Sequence, residues 1–121
     1  KSVLAKTGSG DINSIKSKAL ARAIKHHDRV ATLIIERACH NIGIAAANII
    51  LVLNPEIIVL GGGVFEALGP FMLPRIRKSA KDHTFAPCFK QVRIIGNELG
   101  DNAGVIGAAV YARQRMQHRG H

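Results

Sequence analysis

Residues 54–64, Asn54-Pro55-Glu56-Ile57-Ile58-Val59-Leu60-Gly61-Gly62-Gly63-Val64, hold the transition that decides the fold. Proline lacks a backbone donor and pushes the residue before it out of helical geometry, so Asn54-Pro55 ends the preceding helix. Glu56 to Leu60 is a short β-branched run suited to a strand buried on both faces. Three glycines then stop the strand and allow positive φ angles in a turn.

Upstream of this stretch, Asp28 is a candidate cap for a long helix that runs to Leu53. Its positions Ala31, Ile35, Ala38, Ile42, Ala45, Ile49 and Leu53 step by three or four residues, the spacing of one helical face. From Ile42 to Leu53 the helix is apolar on nearly every side, so it is expected to be covered by a sheet on one side and by more protein on the other. Gly43 and Ala45 to Ala47 leave room for a neighbouring backbone. A shorter helix is expected from Ser14 to about His26, after a loop over residues 1–13.

Downstream, a third helix is expected to begin after Ala67 or Gly69, with Pro70 near its first turn; Pro74 is tolerable only there too. His83 to Pro87 reads as a loop, Gln91 to Ile95 as a second strand, and Ala103 to Met116 as a final helix. Helix, helix, strand, helix, strand, helix predicts an α/β layer with a parallel strand pair. Two strands alone leave both outer edges unpaired, so the sheet is expected to be completed from outside these residues. The chain begins at Lys1 rather than at Met, as expected either of a processed chain or of a piece of a longer protein.

Composition narrows the class. The chain has 121 residues, 47% of them hydrophobic, which excludes an intrinsically disordered polymer. Its longest nearly apolar run, Ile42 to Leu53, is shorter than the roughly 20 residues of a membrane span, so a buried core helix is expected and no membrane contact. No secretory signal opens the chain, and a cytoplasmic location is expected. Cys39 and Cys88 are too few for a disulfide scaffold and are read as reduced thiols. The net charge is +9, with 17 basic against 8 acidic residues. With one Tyr and four Phe to stack bases and no DNA-binding motif, nucleic-acid binding is not expected.

The glycine triplet sits between strand and helix, where free backbone amides can meet an oxygen-rich ligand. It is neither a GxGxxG dinucleotide fingerprint nor a phosphate loop ending in Gly-Lys-Ser/Thr. Taken on their own, Gly61 to Gly63 fit a tight turn as well as a ligand-binding one. A second feature is Glu98-Leu99-Gly100-Asp101-Asn102-Ala103-Gly104-Val105-Ile106-Gly107-Ala108-Ala109. Asp101 or Asn102 can cap the last helix, and Gly104, Gly107 and Ala108 make a flat stripe for close helix packing.

Together, residues 54–64 and residues 100–109 resemble the carboxy-terminal end of the ROK family. That family groups sugar kinases, such as bacterial glucokinases, with sugar-responsive transcriptional repressors. The resemblance covers nearly the whole chain, including Lys25-His26-His27-Asp28-Arg29-Val30-Ala31 before the long helix. It implies that residues 1–121 are the carboxy-terminal lobe fragment of an actin-like ATPase (ribonuclease H-like) fold whose amino-terminal lobe is absent from this chain. Gly61, Gly62, Gly63 and Val64 match the family's adenosine motif, and residues 100–107 match a mainly structural turn.

The resemblance also implies partners: ATP with Mg²⁺ and a hexose-type sugar in the complete protein. The family's phosphate loop, Asn-Asp catalytic pair, sugar contact and Cys-rich zinc motif are not in this sequence. No catalytic or metal residue is therefore assigned. Glu36, Glu56, Glu66, Asp82, Glu98 and Asp101 read as surface charges and caps. The adjacent pairs His26-His27 and Cys39-His40 point about 100 degrees apart on a helix and do not share a face for a metal. The chain alone is expected to lack kinase activity and to self-associate, as part of a homo-oligomer. The effector lobe of a ROK-type repressor is the alternative; the intact glycines favour the kinase.

Overall fold

A computed structural model describes residues 17–118. The expected loop over residues 1–13, the Ser14 cap and the last three residues lie outside them. Helix α1, Ser17–Lys25, ends in a left-handed turn at His27 (φ 55°). There the His27 amide donates to the Ile24 carbonyl and the Asp28 amide to the Ala23 carbonyl, both at 3.0 Å. This pair of bonds closes the helix as a glycine ordinarily would. Asp28 then caps α2, Arg29–Leu53, its carboxylate accepting from the amides of Val30 (3.0 Å) and Ala31 (3.1 Å). Asn54 terminates α2 in the left-handed region (φ 43°) immediately before Pro55, as the Asn-Pro pair predicts.

Strand β1, Ile57–Leu60, pairs in parallel with β2, Arg93–Gly96, in the register Ile57 to Arg93 through Leu60 to Gly96. Helix α3, Gly63–Asp82, lies between them in sequence, followed by the short α4, Ala86–Gln91. A 3-10 turn at Gly100–Asn102 leads into α5, Ala103–His118. The chain is thus a mostly helical α/β fold with a two-stranded parallel sheet.

Three expected boundaries move. α3 begins at Gly63 rather than after Ala67, because the last glycine of the triplet already has helical geometry. Pro70 and Pro74 consequently fall in the helix interior and not in its first turn. Both are exposed and four residues apart, so their rings share one outer face of the helix. Ala86 and Pro87, read as loop, and Gln91, read as the strand start, belong instead to α4, with Pro87 in its first turn where a missing donor costs nothing.

The core runs along the α2–α3 seam. One cluster joins Ile35 and Cys39 of α2 to Leu68, Met72 and Ile76 of α3; a second joins Ala46 and Ile50 to Ala80, Val92 and Ile94. Leu60 packs against both. Between them Gly43 lies against Ser79: a Cβ there would come within 2.6 Å of Ser79 Oγ and 2.9 Å of the Ala80 amide nitrogen. Ser79 Oγ donates to the His40 carbonyl at 2.8 Å, fixing the approach.

Cover among the described residues is one-sided, with the other side left for more protein. The second half of α2 buries Gly43, Ala46, Ala47 and Ile50, but Val52 is 79% and Leu53 71% exposed. By length and composition α2 is also the one helix among the described residues that could cross a membrane; here its inner face packs on α3 and the sheet. β1 likewise exposes Ile57 and Val59, so it is not buried on both faces. Helix α5 is exposed from Gly104 to Gln117, and Cβ atoms at Gly104 or Gly107 would meet nothing within 4 Å. The small-residue stripe therefore has no partner helix among the described residues.

The sheet edges differ. Arg93 and Asn97 donate their amides to the Glu56 and Leu60 carbonyls, so the Ile94 carbonyl points off the far edge of β2. Arg77 covers it there, its guanidinium donating through Nε at 2.8 Å and Nη2 at 2.6 Å. A charged side chain over an edge carbonyl blocks further strand pairing.

Candidate functional site

The glycine turn lies where the two parallel strands end. In open α/β sheets, ligands bind at the carboxyl ends of strands, where loops and helix starts supply unpaired amides. Gly61 follows β1 directly. Gly62 is the residue before α3, with φ 100° and ψ 158°, a conformation essentially reserved for glycine. Gly63 and Val64 form the first turn of α3, and the Glu66 amide donates back to the Gly62 carbonyl at 2.9 Å. The four residues thus make a strand-to-helix corner rather than an extended loop.

Space above the corner is open. Added Cβ atoms at Gly62 and Gly63 would meet nothing within 4 Å, and Val64 is half-exposed. At Gly61 a Cβ would rest on Asn97 Cβ at 3.4 Å. The absence of side chains at 62 and 63 is therefore not demanded by packing within the described residues. Beside the corner, Gly63 borders a groove of about 490 Å³ whose other walls, among the described residues, are Ser17, Lys18, Ala21, Glu66 and Ala67. Gly61, Gly62 and Val64 do not line it.

Two residues that the sequence did not single out hold the corner in place. Asn97 donates its amide to the Leu60 carbonyl at 2.7 Å; its side-chain oxygen accepts from the Leu99 amide at 3.0 Å, and its Nδ2 donates to the Gly100 carbonyl at 3.2 Å. It ties the end of β1 to the turn that precedes α5. Phe65 presses its ring on the end of β2, where a Cβ at Gly96 would come within 2.9 Å of Cε1. An Asn one glycine beyond the β-branched run Ile94-Ile95 was the available signal for the first; nothing local marked the second.

The carboxylates are placed as surface charges. Glu36 meets Arg75 at 3.4 Å, and Arg75 also stacks over Phe71 with its guanidinium carbon 3.6 Å from the ring centre. Asp82 pairs with Lys78 one turn away at 2.6 Å, and that hydrogen bond holds its carboxyl below the usual range. Glu56, Glu66 and Glu98 are exposed, and Asp101 lies in the 3-10 turn. Of the adjacent pairs, Cys39 is buried in the core, where desolvation pushes its thiol up, while exposed His40 turns to Ser79 with Nδ1 3.3 Å from Oγ. Cys39 and Cys88 are both free thiols. His26 and His27 sit in the turn between α1 and α2. Among the described residues, no group of three or more His, Cys, Asp or Glu side chains converges on a metal position.

Comparison with known proteins joins this geometry to a family. The ROK family model matches residues 2–115. A glucokinase from Thermotoga maritima is 28% identical over 107 residues, covering 88% of this chain and 33% of that protein. A xylose repressor from Caldicellulosiruptor bescii is 26% identical over 97 residues, covering 80% of this chain and 24% of the repressor. The crystal structure of a candidate sugar kinase from Cytophaga hutchinsonii superposes with a TM-score of 0.73 at 26% identity, over 91% of this chain and 36% of that one. The chain thus spans about a third of the length of the glucokinase and of the crystallised protein.

Proposed function

Since the chain belongs to the ROK family, we propose that it is the carboxy-terminal, nucleotide-holding part of an ATP-dependent sugar kinase with an actin-like ATPase fold. The complete protein would transfer the γ-phosphoryl group of ATP to a hexose hydroxyl, with Mg²⁺ on the phosphates. The observation that supports this is the corner at Gly61 to Val64. Gly62 takes a conformation closed to other residues, and the space over Gly62 and Gly63 is open although packing does not require it.

In this reading Gly61, Gly62, Gly63 and Val64 receive the adenosine end, and Asn97 and Phe65 keep the corner aligned with the end of β2. No residue of this chain is assigned to proton transfer or to the metal. Those tasks fall to the remaining part of the protein, where a carboxylate would take the hydroxyl proton.

A sugar-responsive repressor is the second reading, supported by the match to the xylose repressor. An effector lobe has no need for an open glycine corner. The two are separated by incubating the full-length protein with ATP, Mg²⁺ and a panel of hexoses. Sugar-dependent ADP release supports the kinase. No turnover with any hexose, together with sugar-dependent binding to duplex DNA, supports the repressor.

A further inference from the structure

Two histidines from different helices meet over one serine. His40 lies on α2 and His83 ends α3; their ring centres are 5.2 Å apart, with the planes at 70°. Ser79 contacts both rings. Its hydroxyl gives its one proton to the His40 carbonyl at 2.8 Å. The 3.3 Å contact between Ser79 Oγ and His40 Nδ1 therefore requires the ring nitrogen to donate. His83 Nδ1 is 2.8 Å from the Ser79 carbonyl, which can only accept, so it donates too. In the neutral rings both protons are thus fixed on Nδ1, and both Nε2 atoms keep a lone pair. Neither Nε2 has a hydrogen-bond partner among the described residues, and both side chains are exposed.

Histidines that bind metals have this arrangement. The bond made by the opposite N–H fixes the tautomer and ring direction and makes the free nitrogen a better ligand. Here one residue orients both rings. The spacing agrees, because two imidazoles bonded at about 2.0 Å to one tetrahedral ion place their ring centres roughly 5 Å apart. Beside His40 lies a groove of about 210 Å³, lined among the described residues also by Glu36, Arg75, Lys78, Ser79 and Asp82. Glu36 is paired with Arg75 and Asp82 with Lys78. These charges cancel locally, and the two imidazoles are the donors that remain.

We propose that His40 and His83 form a two-imidazole site for a divalent transition-metal ion, which ties α2 to the end of α3, with water completing the coordination. Imidazole suits nickel, copper and zinc, whereas magnesium takes oxygen ligands. The site is therefore separate from the Mg²⁺ of a bound nucleotide and does not depend on the nucleotide reading. Residue spacing hides it, since the α2–α3 seam alone brings the two ligands together.

Nickel titration of the full-length protein, followed by calorimetry and by thermal melting, tests it. The melting temperature of the wild type should rise as Ni²⁺ is added, because the ion binds the folded state. Excess Mg²⁺ should neither compete nor stabilise. His40→Ala and His83→Ala should each raise the Kd for Ni²⁺ at least roughly tenfold, about 1.4 kcal/mol, and each should abolish the rise in melting temperature. Both side chains are exposed, so circular dichroism should be unchanged. His26→Ala combined with His27→Ala, in the turn before α2, should leave the binding intact. In the wild type, one equivalent of Cu²⁺ should show two coordinated imidazole nitrogens by paramagnetic resonance, a readout that needs no variant. A melting temperature indifferent to Ni²⁺ overturns the proposal. So does a loss caused by only one of the two substitutions, or nickel affinity that survives both.

Discussion

At Gly43 a single hydrogen atom sets the distance between the two longest helices. A methyl group there would press on Ser79 Oγ and the Ala80 amide, so α2 and α3 would have to separate along the seam that holds both core clusters. Overpacking of this kind costs about 1–3 kcal/mol. Gly43→Ala should lower stability by at least about 2 kcal/mol in a denaturant melt. Ser79→Gly, which removes the clashing side chain, should recover part of the loss. Asp28 acts by capping: its carboxylate takes two of the free amides at the start of α2. Asp28→Ala should cost about 1 kcal/mol in the same melt. Both roles were legible in the sequence, Gly43 as a small residue on an apolar helix and Asp28 as a cap after a basic turn. Asn97 and Phe65 were not, because their partners Leu60, Gly100 and Gly96 are brought to them only by strand pairing.

Among the elements, α5 stands apart. Its residues from Gly104 to Gln117 are exposed, and its ring contact is internal, Arg115 over Tyr111. A 16-residue helix in water without a packed face is marginal. Hydrogen exchange on the isolated chain should therefore show α5 exchanging fully while amides of α2 and α3 along the seam remain protected. Equal protection in all three helices would contradict this account of α5. The periodicity of α2, the Asn-Pro stop and the parallel strand pair were all readable from residue spacing. The onset of α3 was not, because two prolines suggested a later start, whereas their exposure allows the helix to run through them. The short α4 has too few residues for a periodic signal.

For the whole molecule, the two edges of the sheet differ among the described residues. Arg77 covers the outer edge of β2, while β1 leaves a bare edge flanked by apolar side chains. With relatives about three times as long, the proposed kinase would draw its catalytic carboxylate and sugar contacts from the part joined at that edge. The isolated 121-residue chain should therefore show no ATP-dependent phosphorylation of any hexose above a blank. The family and the glycine corner were legible because both rest on short contiguous motifs. The open flank, the detached α5 and the outer face of α2 depend on what lies across each surface, which residue spacing within one chain does not specify.

For the proposed binding of the nucleotide at the glycine corner, Gly63 offers a cleaner test than Gly62. At Gly62 any side chain meets backbone strain at φ 100°, which alone costs about 1 kcal/mol or more. Gly63 has ordinary helical geometry, and a Cβ there meets nothing within 4 Å among the described residues, so a side chain at 63 carries no backbone strain. Calorimetric titration of full-length Gly63→Val with ATP and with sugar, beside a denaturant melt, is the deciding measurement. ATP affinity should fall at least roughly tenfold, about 1.4 kcal/mol, with sugar affinity and stability retained. Unchanged ATP affinity in a folded Gly63→Val protein would mean that the corner is only a turn.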